Sequence, residues 1–448
     1  MDHEVEIPQT TRRGLAIAAG VLGVVTVIGV VALRSTGDIR KGADRLNQAS
    51  EVFEAKILSS DTAPCTGTTE ADDIACETFR LRLNQGPDKG ETIELEFPES
   101  PTTPDLDPGD RVVLSYNRSA EPGFEYQFAD RQRRPVLLWL AVLFAVAVVA
   151  LGRWRGLAAL VGLGATVVVL LQFILPAILD GKSPVLVAVF GASAIAYLAL
   201  YLAHGFRSMT TVALLGTLAA LAVTVVLASI FSALADFTGL ASEEAVLVQI
   251  GAENLDLSGL VLGGMVIGAL GALDDMTVTQ ASAVWELRAA NPGFKRRDLS
   301  RSAMRIGRDH VASTVNTLAL AYAGAALPVL ILFVQSRQSL GAVANSETVA
   351  VEIVRTLVGS IGLVASVPLT TWLAARVVTA EPPRRGRGRP PGNEPPSRPS
   401  GERAPAGGVT PPAASEPVEE DLPPEQQFWG RRRGRSEEPP PVPPENSG

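Results

Sequence analysis

Two acids stand side by side, Asp274 and Asp275, inside an apolar run that reads LSGLVLGGMVIGALGALDDMTVTQASAVWEL from Leu257 to Leu287. A charged carboxylate at the centre of a bilayer costs about 3 kcal/mol even on permissive scales, so such a group faces a partner or a water-filled path and not lipid. The chemistry open to it is binding and releasing a proton, or coordinating a small cation. Adjacent acids titrate as one coupled system. Polar groups that can share the task lie nearby: Thr279 and Ser282 in the same run, Asn316 and Thr317 in the next apolar one.

Helical geometry sets which side each residue takes. Gly264, Gly268, Gly271 and Asp275 recur at spacings of four, three and four, so they stack on one helix face; Ser282 continues the stripe and Thr279 lies beside it. Small residues at that spacing admit another helix, which predicts Asp275 in a helix–helix interface. Asp274, about 100° further around the helix, is expected to point toward the membrane boundary. The next run offers Ala312, Asn316, Ala319, Ala323 and Ala326 as a matching small face. At about 1.5 Å of rise per residue, Asn316 and Asp275 fall in the same half of a hydrocarbon layer about 30 Å thick. A contact between them, joined by Thr279 or Thr317, is therefore allowed. The competing structural role for Asp275 is a hydrogen bond across helices or a pairing with Arg305 or Arg308.

A bundle must hold these residues. Of the 448 residues 47% are hydrophobic and 19% charged, and the charges are segregated from the apolar blocks. Runs of about 18 or more apolar residues mark membrane spans. The candidates are 14–33, 136–151, 156–179, 184–203, 209–235, 257–279, 311–334 and 353–375. They divide the chain into a short N-terminus (1–13), an anchor (14–33), a polar loop (34–135), the main bundle (136–376) and a polar tail (377–448). The apolar core of the first run exceeds the roughly 7–15 residues of a signal peptide, so it is read as an uncleaved anchor. Basic loops stay cytoplasmic. Arg12 and Arg13, Arg153 and Arg155, Arg207, the set from Arg288 to Arg308, and Arg376 alternate with 236–256, which holds acids but no Lys or Arg. An all-α polytopic bundle of about eight spans with both termini cytoplasmic satisfies that pattern.

The loop 34–135 carries β-type runs at 51–57, 79–83, 92–97 and 111–114, parted by Gly, Pro and Asp turns. That is the pattern of a small β-rich, OB-like domain on the far side of the membrane. It lacks a basic aromatic stripe, which argues against nucleic-acid binding. Cys65 and Cys76, the only cysteines, lie where a disulfide can persist. The three histidines are far from them, so no metal or cofactor is expected. Between spans six and seven, a short basic helix over 288–310 would lie on the membrane surface, with Leu299, Ala303 and Ile306 on one side. From Glu381 onward the Pro-, Gly- and Arg-rich composition predicts a disordered cytoplasmic tail. No Gly-x4-Gly-Lys-Ser/Thr phosphate loop is present. Two neighbouring acids on one helix also fail to supply the separate carboxyls of an aspartyl protease, so no enzyme is expected.

One stretch carries a more specific pattern. Gly263 through Leu273 (GGMVIGALGAL) leads into Asp275, and Ile306-Gly307-Arg308-Asp309 follows the basic loop. Then come Thr314-Val315-Asn316-Thr317-Leu318, Ala321-Tyr322-Ala323-Gly324 and Leu327-Pro328. Together they make Gln249 to Pro328 resemble the YibE/F family of bacterial membrane proteins, and the general plan extends the likeness over about residues 14–376. Asp274 and Gln280 depart from the commoner family pattern, so the resemblance points to Asp275 as the shared acid. It implies a multi-pass protein of the bacterial plasma membrane and names no substrate. The leading expectation is a permease-like protein that moves a small solute or ion past spans six and seven of the lipid bilayer. The alternative is a non-transporting sensor or assembly scaffold acting through the exported domain and the tail. The oligomeric state stays open.

Overall fold

A first helix, α1 (Gln9–Ala32), leads to a five-stranded sheet and then to a bundle of long apolar helices. The computed structural model describes residues 5, 7–37, 51–65, 75–98, 100, 104–121, 123–252 and 255–380. The tail expected to be disordered lies, from residue 381 on, outside the described residues.

The sheet comprises β1 (Glu51–Pro64), β2 (Ala75–Leu83), β3 (Thr92–Pro98), β4 (Arg111–Tyr116) and β5 (Tyr126–Arg131), all antiparallel, in the order β3-β2-β1-β4-β5. Alternation builds its core. Phe79, Leu81 and Leu83 of β2 turn inward onto Ala55, Ile57, Val112 and Leu114, while Arg80 and Arg82 turn out. A register shift between Ile57 and Ser59 lies in the central strand β1, where a bulge bends the chain. The edge strands β3 and β5 meet through the rings of Phe97 and Phe128, 5.8 Å apart and edge-on. The sheet is thus a half-barrel. Strand β5 was not among the runs expected from the sequence, because only Tyr126 and Phe128 mark its inner side. Tyr126 donates to Asp88 (2.8 Å), and burial together with that acceptor pushes its phenol well above the ordinary range. Cys65 and Cys76 are joined, tying the end of β1 to the start of β2.

The helices that follow are α2 (Arg134–Val169), continued by a π-turn (Leu170–Ile174) into α3 (Leu175–Leu179), then α4 (Pro184–His204), α5 (Ser208–Leu234), α6 (Glu243–Gly251) and α7 (Leu257–Ala290). After these come α8 (Arg296–Ala325), α9 (Leu327–Gln335), α10 (Leu340–Asn345) and α11 (Glu347–Val378). Among the described residues six helical stretches are long and apolar enough to cross a membrane, and α8 with α9, bent by 62°, can form a seventh. Pro328 opens α9 and accounts for that bend. The sequence reading has one span more because it divides 134–179 near Arg153. There α2 leaves helical geometry (φ 52°, ψ −129°). A Cβ on Gly156 would run into the carbonyl of Val148, although eight residues of straight helix span about 12 Å. The chain therefore doubles back at Arg153. A second observation agrees: the backbone N–H of Thr36, just past α1, donates to the carboxylate of Asp180 at 3.0 Å. The end of α3 has returned to the end of the bundle where α1 leaves.

At the opposite end Leu15, Val212, Val284, Leu299, Ala303 and Ala374 pack together from α1, α5, α7, α8 and α11. This corrects the expectation of a separate surface helix over 288–310. Helix α8 runs unbroken for 30 residues with Leu299, Ala303 and Gly307 buried, while Ile306 is exposed. The missing side chain at Gly307 admits Val367 and Gln280, so the basic segment is held upright against the bundle.

The closest packing joins α5, α7 and α11. A Cβ on Gly216 would overlap the hydroxyl of Thr370, and one on Gly362 that of Thr224. Gly362→Leu is expected to destabilise the protein by about 1–3 kcal/mol through overpacking. Gly324→Leu, where nothing lies within 4 Å of the added Cβ, should leave it unchanged. Thermal unfolding of the two variants in detergent checks the contrast.

Candidate functional site

Helix α7 begins at Asp256, whose carboxylate accepts from the N–H of Gly259 at 2.8 Å. One face then carries Leu262, Met265, Val266, Ala269, Leu273, Met276, Thr277 and Gln280, all buried. On that side Asp274 reaches α5. The hydroxyl of Thr217 lies 3.3 Å from Asp274 Oδ1, 2.6 Å from the hydroxyl of Thr277 and 3.1 Å from the carbonyl of Ala213. Thr277 in turn sits 3.1 Å from the carbonyl of Asp274. Both threonines are fully buried.

Each hydroxyl supplies one hydrogen, so two threonines cannot serve all these acceptors at once. With Asp274 ionised, Thr217 donates to it. With Asp274 protonated, the carboxyl donates to Thr217, whose hydrogen turns back to Ala213. Gain or loss of a proton would thus re-sort the hydrogen bonds of this cluster. Next to the cluster, the hydroxyl of Thr370 against Gly216 is buried with no hydrogen-bond partner. Further along α7, Gln280 donates to the carbonyl of Ala303 (3.0 Å) and to Thr371 (2.6 Å), tying α7 to α8 and α11.

The other side of α7 is different. Gly264, Gly268, Gly271 and Asp275 are exposed. A Cβ on Gly271 would meet nothing within 4 Å, one on Gly264 only Arg355 Nη2 at 3.9 Å, and one on Gly268 only the hydroxyl of Tyr322 at 3.1 Å. Arg355 pairs with Glu352 at 2.6 Å, as their spacing predicts, and lies 6.0 Å from the centre of the Tyr322 ring. The stripe is an open groove beside α8. Arg355 and Tyr322 cover one end of it, and Asp275 lies at the uncovered end.

The two acids are therefore exchanged relative to expectation. Asp274 enters the helix contact and Asp275 stays outside, with no ion pair to Arg305, Arg308 or any other described residue. The reason is area. The bulky face of α7 makes far more van der Waals contact with the neighbouring helices than four near-empty positions could, so the glycines turn away from the core. The same competition decides α8, whose packed residues are Val311, Val315 and Leu318. Asn316 and Thr317 are exposed, and Thr317 bonds back to Ser313 (3.0 Å). No Asp275–Asn316 contact forms among the described residues. Thr279 is spent on the carbonyl of Asp275 (2.7 Å), and Ser282 is half-buried. What the sequence reading missed is Thr217. Its signal was present: Thr210, Thr217 and Thr224 recur every seven residues on α5 and are all buried.

A family model described as YibE/F-like protein matches residues 140–380, more than half of the chain. The chain belongs to the YibE/F family. The matched region runs from α2 to α11, so the Asp274 cluster and the glycine groove both lie inside the YibE/F part, while α1 and the half-barrel precede it. No curated protein and no solved structure matches the chain. Among the described residues no group of three or more His, Cys, Asp or Glu is placed to hold a metal. Asp274 and Gln280 both make hydrogen bonds between helices inside that region.

Thr217→Val keeps the shape but removes the side-chain partner of Asp274, and should cost about 1–3 kcal/mol. Asp275→Asn in the open groove should change stability by less than about 0.5 kcal/mol. Melting curves of the two single variants against the parent measure both.

Proposed function

We propose that this YibE/F protein is a non-enzymatic, permease-like protein of the bacterial plasma membrane, moving a small solute or ion with proton coupling at the Asp274–Asp275 pair. The reversal at Arg153 supports counting the 134–179 segment as two spans. Eight spans then keep both termini and the basic α7–α8 connection in the cytoplasm and place the half-barrel outside. The curl of β3 toward β5 supports an OB-like reading of that domain.

One observation carries the proposal: neighbouring carboxyls in a single apolar helix face opposite ways, one into a buried hydroxyl cluster and one into an open groove. Asp275 offers the group that a permeant ion or a proton can reach. Asp274 offers a store whose hydrogen bonds re-sort when it gains or loses that proton. Intramembrane acids that serve only as architecture do not need both environments. The polar site accordingly moves from spans six and seven alone to the contact of α5 and α7, with the groove beside α8 as its approach.

The test is flux. Protein reconstituted in vesicles with an entrapped pH dye should pass protons when a potassium diffusion potential is imposed, and Asp274→Asn should reduce that flux at least tenfold. Equal flux from parent and variant, or none above empty vesicles from either, would remove proton coupling from the account.

A further inference from the structure

At the end of the bundle formed by the α7–α8 connection, two arginines converge on one indole. The guanidinium of Arg296, the first residue of α8, lies 5.7 Å from the ring centre of Trp372, and that of Arg376, one turn further along α11, lies 5.4 Å from it. Trp372 is itself half exposed, at 53%. The convergence is built in, because Leu299 and Ala303 of α8 are completely buried in the cluster that includes Ala374 and Ala375 of α11. That contact fixes the start of α8 at the level of Trp372.

Each guanidinium gains from the indole face, but two like charges beside one ring repel each other, and an anion that joins them relieves that repulsion. Four arginines elsewhere sit beside such an anion: Arg80 has Glu94, Arg131 has Asp110, Arg133 has Asp130 and Arg355 has Glu352. Among the described residues neither Arg296 nor Arg376 makes an ion pair, and neither do the basic residues near them from Arg288 to Arg308. An anion from outside this set would complete the pair. Two planar guanidinium forks suit a phosphate oxygen pair better than a point charge would. A half-exposed tryptophan near the end of an apolar helix is the residue type found at headgroup depth, where basic pockets take anionic lipid.

We infer that Arg296, Arg376 and Trp372 form a binding site for the phosphodiester headgroup of an anionic membrane phospholipid. The site rests on the membrane setting alone and stands whether or not the chain transports anything.

Native mass spectrometry of the delipidated full chain in neutral detergent, with phosphatidylglycerol or phosphatidylcholine added, reads the site directly. The parent should hold phosphatidylglycerol at least fivefold more tightly. Arg296→Ala combined with Arg376→Ala, and separately Trp372→Ala, should abolish the preference while the protein still melts cooperatively. Arg305→Ala combined with Arg308→Ala removes the same amount of charge, both residues from α8, and should keep the preference. An equal loss in both double variants would mean diffuse charge and would overturn the site. Full competition by millimolar inorganic phosphate would overturn the lipid as its ligand.

Discussion

Where Gly216 and Gly362 leave no side chain between α5, α7 and α11, Thr370 and Thr224 press against bare helix backbone. Two of the threonines that line that approach satisfy themselves, while the Thr370 hydroxyl stays without a partner among the described residues. Thr217 and Thr224 sit within reach of carbonyls four residues back on their own helix, so those two hydroxyls add no unmet demand to the contact. Once three helices lie this close, α7 must offer them its bulkiest face, and the orientation of everything on α7 is settled. Asp274 is carried to the edge of the contact. The glycine stripe and Asp275 are turned away from it.

The same constraint explains why one helix presents two unlike acids. A carboxyl beside buried hydroxyls exchanges its proton against a small, countable set of hydrogen bonds, whereas a carboxyl in an open groove does so against whatever fills the groove. Two such groups one residue apart form a pair with an inner and an outer member. Arg355 and Tyr322 belong to the same arrangement, since Gly264 and Gly268 leave the space their long side chains occupy. At the other end, Gly307 gives α8 its footing, and the basic residues follow from that footing as an upright row without ion pairs among the described residues.

Much of this was legible from residue order. Apolar run lengths gave the long apolar helices, and the spacing of Glu352 and Arg355 gave their ion pair. The motifs from Gly263 to Pro328 gave the family. Choosing between the faces of α7 was harder, because small-residue spacing signals close packing equally well whether the stripe meets a helix or a pair of side chains. Asn316 was misplaced for a related reason: the alanine face of α8 and its valine–leucine face are offset by one residue, and only the three-dimensional competition for buried area decides between them. Strand β5 was too short and too polar to stand out. Thr217 lies far from Asp274 in sequence, and nothing local connects them.

Infrared difference spectroscopy across a pH titration addresses the inner carboxyl directly. A protonated side-chain acid in a dry environment gives its own carbonyl stretch, apart from those of solvated acids. The account predicts one such band in the parent protein, absent in Asp274→Asn, displaced in Thr217→Val and unchanged in Asp275→Asn. A band that survives in Asp274→Asn, or disappears in Asp275→Asn, would contradict it.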